Sequence, residues 1–182
     1  MPASLLENHP LSTQPKPGQY AKGLMWFRRD LRLTDNRMLG AATRHADRVW
    51  PVFVADPDLL GEHAAATARI SWLEANVRAL DGRLRERGSG LTVLRGRPDD
   101  VLRRFAAEVG AGTVYAATDE DPAAIARDDR VAKVVDLRLV DDQRIVAPDE
   151  LRTGSGGPYT VYTPFRRALD ALVEEAPDAV AG

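Results

Sequence analysis

The pattern of apolar and polar residues predicts strands that alternate with helices along most of the chain. Short apolar runs that end in polar turns are typical of buried strands, whereas apolar residues spaced three and four apart are typical of amphipathic helices. The predicted strands are residues 24–27, 48–57, 91–94, 113–118 and 135–140, the second of which ends in the turn Asp56-Pro57. The predicted helices run from the cap residues 34–36 to about residue 45, and over residues 65–87, 98–109 and 122–135. This alternation predicts the α/β class, as a Rossmann-like, doubly wound sheet of five parallel strands with helices on both faces.

Residues that commonly begin or end helices support the predicted helix boundaries. The run Thr34-Asp35-Asn36 offers short polar side chains that can cap the first helix, and Pro98 is suited to the first turn of the third. Gly110 follows the end of that third helix. The long second helix carries the apolar stripe of an amphipathic helix, formed by Ile70, Leu73, Val77, Leu80 and Leu84.

Length and composition bound the domain organisation. The chain has 182 residues, of which 44% are hydrophobic, and this suits one globular domain with additional segments. Residues 1–22 contain four prolines and little apolar periodicity, so we expect a flexible leader. Residues 23–150 are the predicted α/β domain. Residues 151–182 are the predicted linker segment, which ends in the short helix FRRALDALVEEA.

The same composition excludes several kinds of site. The chain contains no cysteine, which excludes disulfides and thiolate ligands and suits a reducing cytoplasm, where we expect the protein. The three histidines, His9, His45 and His63, lie far apart, so no metal site is predicted. A net charge of −2 gives no general attraction to nucleic acid or membrane. No apolar run reaches the length of about 20 residues that a membrane-spanning helix needs.

The polar residues after the first predicted strand are candidates for a binding site. In a doubly wound sheet, ligands bind at the carboxyl ends of the strands, near the point where the strand order reverses. Arg28 and Arg32 could hold an anionic ligand in their planar guanidinium forks, with Asp30 orienting one of them. The other interpretation is an ion-pair network that shapes the loop. Glycine-rich dinucleotide and P-loop patterns are absent from this loop.

The loops after the second and fourth strands add carboxylates to the same crevice. Asp56 lies in the first of these loops, and Asp119 and Asp121 lie in the second. The latter two could accept hydrogen bonds from the ring N–H groups of a flat heterocycle, or they could cap the helix that follows. The pairs Asp128-Asp129 and Asp141-Asp142 are interpreted as caps and solvated carboxylates. No Ser-His-Asp arrangement can be argued, so no catalytic residue is predicted.

Several segments resemble one known family. WFRRDLRLTDN, residues 26–36, closely resembles the N-terminal motif of the DNA photolyase and cryptochrome family. Three further segments resemble that family in the same order: ARISWLEANVRALDGRL, LTVLRGRPDDVL and VDDQRIVAPDELRTGSGGPYTVYTPFRRAL. The resemblance covers about residues 23–170.

The resemblance implies an N-terminal α/β domain that docks on a larger helical domain and often binds an antenna chromophore. In this family that chromophore is methenyltetrahydrofolate, a deazaflavin or a flavin such as FMN. The helical domain holds the catalytic FAD and the DNA-binding face, and its reduced flavin splits pyrimidine dimers, a carbon–carbon lyase reaction. Nothing in this chain resembles that second domain, so we expect the chain to be inactive alone and to meet FAD and DNA only through such a domain.

The motif positions also imply roles for individual residues. Arg28, Asp30 and Arg32 match the motif, where they would brace the antenna crevice and the interdomain contact. The loop after the fourth strand departs from the family, which commonly has Asn-x-Asp/Glu-Tyr-x-Pro-Tyr where this chain has ATDEDPA. The amide and both tyrosines are replaced, so the ring-stacking surface of the usual antenna site is lost.

Three functions therefore stay open at this point. The first is the antenna-chromophore domain of a photolyase-like, blue-light-dependent DNA repair flavoprotein. The second is a stand-alone module of sensory, cryptochrome-like kind that binds a flavin, a deazaflavin or a protein partner. The third is a degenerate paralogue that binds none of these. In the lone chain we expect Tyr159, Tyr162 and Phe165 to lie partly exposed, which predicts weak self-association.

Overall fold

The fold is described from a computed structural model for residues 20–58, 67–142, 144, 146 and 151–175. The chain divides into two compact units, Met1–Asp142 and Gln143–Gly182, and each is described by itself. The predicted leader lies outside the described residues except for residues 20–22, which belong to the first strand. The second unit begins eight residues before the predicted boundary at residue 151.

The first unit contains a five-stranded parallel sheet in the order β3-β2-β1-β4-β5. Its strands are β1 Tyr20–Phe27, β2 Ala46–Ala55, β3 Thr92–Arg95, β4 Thr113–Ala117 and β5 Leu137–Val140. Its helices are α1 Arg37–His45, α2 Thr67–Arg85, α3 Pro98–Val109 and α4 Pro122–Ala132. The predicted α/β fold class is confirmed.

The centre of the sheet carries most of the core. Residues 24–27 of β1 are at most 2% exposed, because β1 lies between β2 and β4 and both of its faces are covered. All five residues of β4 are buried as well. A strand that is covered on both faces has apolar residues at consecutive positions, which explains the continuous apolar run in the sequence.

Strand order and chain order together place the helices. The connections from β1 to β2 and from β2 to β3 run in one direction across the sheet, and those from β3 to β4 and from β4 to β5 run in the other. Because such crossovers are right-handed, α1 and α2 cover one face and α3 and α4 cover the other. The contacts agree: α1 packs on β1, β2, β4 and β5, whereas α3 and α4 pack on each other.

The helix boundaries in the first unit follow the predicted ones to within three residues. Asn36 caps α1 by accepting the Leu39 N–H at 2.8 Å, and Gly110 ends α3 in a left-handed conformation. Helix α4 ends three residues before its predicted end, because the amides of Val134 and Val135 both donate to Val131 O in a closing turn.

The predicted stripe on α2 is buried over only part of its length. Leu80 and Leu84 are buried, whereas the other stripe residues are half-buried. Trp72, in the first half of the helix, is 66% exposed. The stripe is therefore most deeply buried in the second half of the helix.

The second unit contains helix α5, Tyr162–Glu175, which begins three residues earlier than predicted. A turn precedes it, in which the Thr153 amide donates to Gly157 O at 2.9 Å. The Tyr159 and Phe165 rings meet edge to face, and the side chain of Tyr162 is 71% exposed. In neither unit does a described helix combine the length and the apolar character that crossing a bilayer requires.

Candidate functional site

The candidate site lies where the strand order reverses. Strands β2 and β3 lie on one side of β1, and β4 and β5 lie on the other, so the reversal falls between β1 and β4. The loop after β1, residues 28–36, and the loop after β4, residues 118–121, begin at this carboxyl edge. Doubly wound sheets bind ligands outside this edge. Both loops are rich in charged side chains, and their pairing decides what the edge can bind.

Arg28 joins three elements at the reversal point. Its Nη1 lies 2.5 Å from Asp128 Oδ1 in α4 and 2.8 Å from Oδ2, while its Nη2 donates to Ala117 O at the end of β4. The side chains of Arg28 and Asp128 are 8% and 6% exposed. Removing Asp128 would leave the Arg28 charge buried without this partner. Arg28 therefore braces the loop against β4 and α4.

An aromatic ring and a second cation complete this cluster. The guanidinium carbons of Arg28 and Arg127 lie 5.0 Å and 5.1 Å from the centre of the Trp26 ring, which favours cations over its face. Arg127 also pairs with Asp128 at 3.1 Å. Burial lowers the pKa of Arg28 and the Arg127 charge adds to this, whereas Asp128 acts in the opposite direction.

Arg32 forms a second network with Asp30 and Asp142. Its Nη1 pairs with Asp30, and its Nη2 lies 3.3 Å from Asp142 Oδ1, just beyond β5. Asp142 also accepts the amide of Arg37 at 2.7 Å, so it satisfies the first turn of α1. Burial raises the pKa of Asp30 and nearby Asp142 adds to this, whereas the Arg32 charge lowers it. This network ties the loop to the ends of β5 and α1.

Arg29 crosses from the first loop to the loop after β4. Its Nε lies 3.2 Å from Asp119 Oδ2, and its Nη2 lies 3.5 Å from Asp121 Oδ2. The Arg29 side chain is 61% exposed, whereas the Asp119 side chain is only 6% exposed. Asp121 also caps α4 by accepting the Ala123 amide at 2.9 Å. Capping and ion pairing therefore occur together at this loop.

The sequence predicts six binding residues, and the structure distributes them among separate groups. Arg28 belongs to the Asp128 cluster, Arg32 and Asp30 belong to the Asp142 network, and Asp119 and Asp121 are paired with Arg29. Asp56 lies beyond the end of β2, where it accepts the amide of Asp58 at 3.0 Å. Whether these residues bind a cofactor stays a prediction.

Sequence reasoning missed three residues of the site: Arg29, Asp128 and Asp142. The interpretation as solvated carboxylates is wrong for Asp128, which is 4% exposed and pairs with Arg28, and for Asp142, whose side chain is 1% exposed. A signal for the burial of Asp128 existed, since Ala124, Asp128 and Val131 share the buried face of α4 at helical spacing. A carboxylate in an apolar stripe indicates a buried cationic partner.

The arrangement is suited to binding charged and hydrogen-bonding ligands. Its groups are arginine forks and carboxylates, which recognise anions and N–H donors through charge and directed hydrogen bonds. Among the described residues, no group of three or more His, Cys, Asp or Glu is placed to hold a metal ion.

Comparisons with a family model and with individual relatives identify the same family. The model of the family described as DNA photolyase matches residues 23–181. A deoxyribodipyrimidine photo-lyase of Synechococcus sp. is 36% identical over 161 residues, which cover 86% of this chain and 33% of the relative. The chain therefore spans about a third of the length of such relatives.

Solved structures agree with the family match. A bacterial class III photolyase from Agrobacterium tumefaciens superposes with a TM-score of 0.70 at 34% identity, over 89% of this chain and 33% of the other. An archaeal photolyase from Sulfolobus tokodaii, described with two FAD molecules and the implication of a novel light-harvesting cofactor, gives a TM-score of 0.63 at 31% identity. That match covers 72% of this chain and 32% of the other.

Proposed function

Since this chain belongs to the DNA photolyase family, we propose that it is the N-terminal antenna-chromophore domain of a blue-light-dependent DNA repair flavoprotein. The antenna would be methenyltetrahydrofolate, a deazaflavin or a flavin such as FMN. The two FAD molecules described for the Sulfolobus relative support a flavin among these candidates. In this proposal the chromophore of this domain absorbs light, and another domain catalyses the splitting of the dimer.

One observation carries the proposal: the charged loops after β1 and β4 flank the point where the strand order reverses. This is the crevice at which doubly wound sheets bind their ligands. A flat chromophore there would meet carboxylate acceptors from Asp119 and Asp121, and Asp56, beyond β2, is proposed as a further acceptor. Their acceptor oxygens suit the N–H groups of a pterin, flavin or deazaflavin ring.

The arginines of the motif serve as supports in this proposal. Arg28 and Arg32 are held by Asp128, Asp30 and Asp142, so their forks fix the loop that forms one wall of the crevice. A loop that is already held in place loses less conformational entropy when the ligand binds, which favours tighter binding. The three motif residues therefore contribute to chromophore affinity through the shape of the crevice.

The partner in this proposal is a helical domain that holds FAD and contacts DNA. Splitting a dimer needs a redox cofactor and access to a flipped nucleotide. The net charge of −2 offers no general attraction to the DNA backbone. Repair activity is therefore assigned to that partner and not to this chain alone.

The experiment that tests the proposal is an absorption spectrum between about 300 and 500 nm. The purified chain is measured before and after addition of methenyltetrahydrofolate, deazaflavin, FMN and FAD. Near-stoichiometric binding of one of them supports the proposal, and Arg32→Ala should then weaken it while Arg130→Ala, on the exposed surface of α4, should not. A chain that binds none of the four contradicts the antenna function.

A second candidate is a protein-interaction module of sensory kind. The observation in its favour is that the crevice arginines already pair with protein carboxylates. An exposed aromatic residue at the start of α5, Tyr162, gives such a module an apolar contact. A colourless chain that forms a stoichiometric complex with a helical flavoprotein domain would favour this candidate.

A further inference from the structure

We propose that Arg29 is an internal competitor of the chromophore, because its guanidinium occupies the carboxylate oxygens that the N–H groups of the chromophore would use. This inference rests on the proposed function, since it concerns the same crevice. In this role Arg29 sets the affinity of the site for the chromophore. It also determines whether a neutral or an anionic ligand binds more tightly.

In both Asp119 and Asp121, the two carboxylate oxygens have different partners. Asp119 Oδ1 accepts the amide of Asp121 at 3.2 Å, and Asp121 Oδ1 accepts the amide of Ala123 at 2.9 Å. These bonds hold the loop in place. The Oδ2 atoms of both residues face Arg29, at 3.2 Å from Nε and 3.5 Å from Nη2. The oxygens that are not used by the loop are therefore taken by one side chain.

Exposure makes Arg29 the displaceable member of this group. Its side chain is 61% exposed, whereas the neighbouring Arg28 is 8% exposed and fixed by Asp128. The Arg29–Asp121 pair is exposed on both sides, at 61% and 48%, and such exposed pairs contribute little net stability and are screened by salt. Asp119 is 6% exposed, so it needs a partner in either state. A ligand that donates hydrogen bonds to Asp119 provides that partner and releases Arg29 to water.

The charge of the ligand decides the effect of Arg29. A neutral heterocycle with N–H donors competes with the guanidinium for the same acceptors. A ligand that carries a phosphate would instead be attracted to the exposed cation. Riboflavin and FMN separate these cases, because they share the same ring and ribityl chain and differ by one phosphate.

The experiment compares riboflavin and FMN binding to the wild-type chain, Arg29→Ala and Arg29→Gln by flavin fluorescence, at low salt and at about 0.5 M NaCl. Arg130→Ala is the matched control, because its guanidinium donates to Ala126 O within α4. We expect both Arg29 variants to bind riboflavin about three- to tenfold tighter than wild type. Salt should strengthen riboflavin binding to wild type and leave the Arg29 variants unchanged. Circular dichroism confirms that each variant is folded.

Other outcomes overturn the inference in distinguishable ways. If wild type binds riboflavin and the Arg29 variants bind it equally or more weakly, the competitor role is wrong and the proposed function stands. If the variants lose affinity for FMN alone, Arg29 is a phosphate clamp and not a competitor. If no protein in the series binds either flavin or the other antenna chromophores, the competitor role and the antenna function are both wrong.

Discussion

Arg28 and Asp128 form a buried ion pair across 100 positions of the chain, with 2.5 Å between Nη1 and Oδ1. The pair joins the residue that follows β1 to the buried face of α4. Together with the bond from Arg28 to Ala117 O, it ties both loops of the reversal point to the sheet. This long-range pair is therefore one of the contacts that fix the shape of the candidate site.

Neutralising Asp128 should strongly destabilise the chain. Asp128→Asn keeps the shape of the side chain but leaves Arg28 buried without its counter-charge, which costs about 3 kcal/mol in the free energy of unfolding. Urea denaturation followed by circular dichroism measures the change. Asp129→Asn is the control, because Asp129 is exposed on the same helix, and it should change stability by no more than about 0.5 kcal/mol. Equal effects of the two variants would contradict a stabilising role for the pair.

Asp81 should make stability depend on pH in the acid range. The Leu91 amide and Arg85 both donate to its carboxylate, which lowers its pKa below the ordinary value of 3.8. A lowered folded-state pKa means that the stabilisation is complete above the unfolded value and is lost as the pH falls through the folded one. The stability difference between wild type and Asp81→Asn should therefore shrink as the pH falls below about 4.

The urea midpoint measured at several pH values between about 7 and 2.5 checks this behaviour. Glu86→Gln, at an exposed position just after α2, is the control for the loss of one negative charge. A difference between wild type and Asp81→Asn that is constant over the whole range would show that Asp81 does not link α2 to β3 through its charge.

Two glycines should respond to alanine in opposite directions. Gly82 lies inside α2, and a Cβ at this position would have no neighbouring atom within 4 Å, so Gly82→Ala should stabilise the chain by about 0.5 to 1 kcal/mol. Gly96 has a φ of +134°, and a Cβ there would lie 2.8 Å from Val101 Cγ1. Gly96→Ala should destabilise by more than about 1 kcal/mol. Thermal unfolding of both variants measures the signs, and stabilisation by Gly96→Ala would refute the assigned backbone conformation.

The exposed residues at the start of α5 should produce weak self-association. Val161 and Tyr162 are 61% and 71% exposed, and adjacent exposed apolar side chains favour contact with another surface. Sedimentation velocity over a range of concentrations should show reversible dimerisation that Tyr162→Ser reduces. Trp72→Ser is the control, because Trp72 is an exposed aromatic residue of the first unit. A chain that is monomeric at every concentration tested would contradict the prediction.

The sequence alone determined the local structure and the family. Short apolar runs and the period-3.6 pattern, together with Asn36 and Gly110 as caps, located nearly every strand and helix, because these features depend on neighbours within a few residues. The motif after β1 indicated the family, since it is a contiguous stretch of residues. The α/β fold class followed from the order of the elements.

Only the tertiary structure decided which charges meet. The sequence shows that Arg28, Arg29 and Arg32 are neighbours, but it does not show that each pairs with a different carboxylate around 90 to 110 positions away, at Asp128, Asp119 and Asp142. The position of a charged residue in the sequence does not indicate which opposite charge it will contact. The partner depends on the strand order, which brings β1 beside β4. Burial then makes Arg28 a fixed support and leaves Arg29 exposed, because only the first points into the packed core.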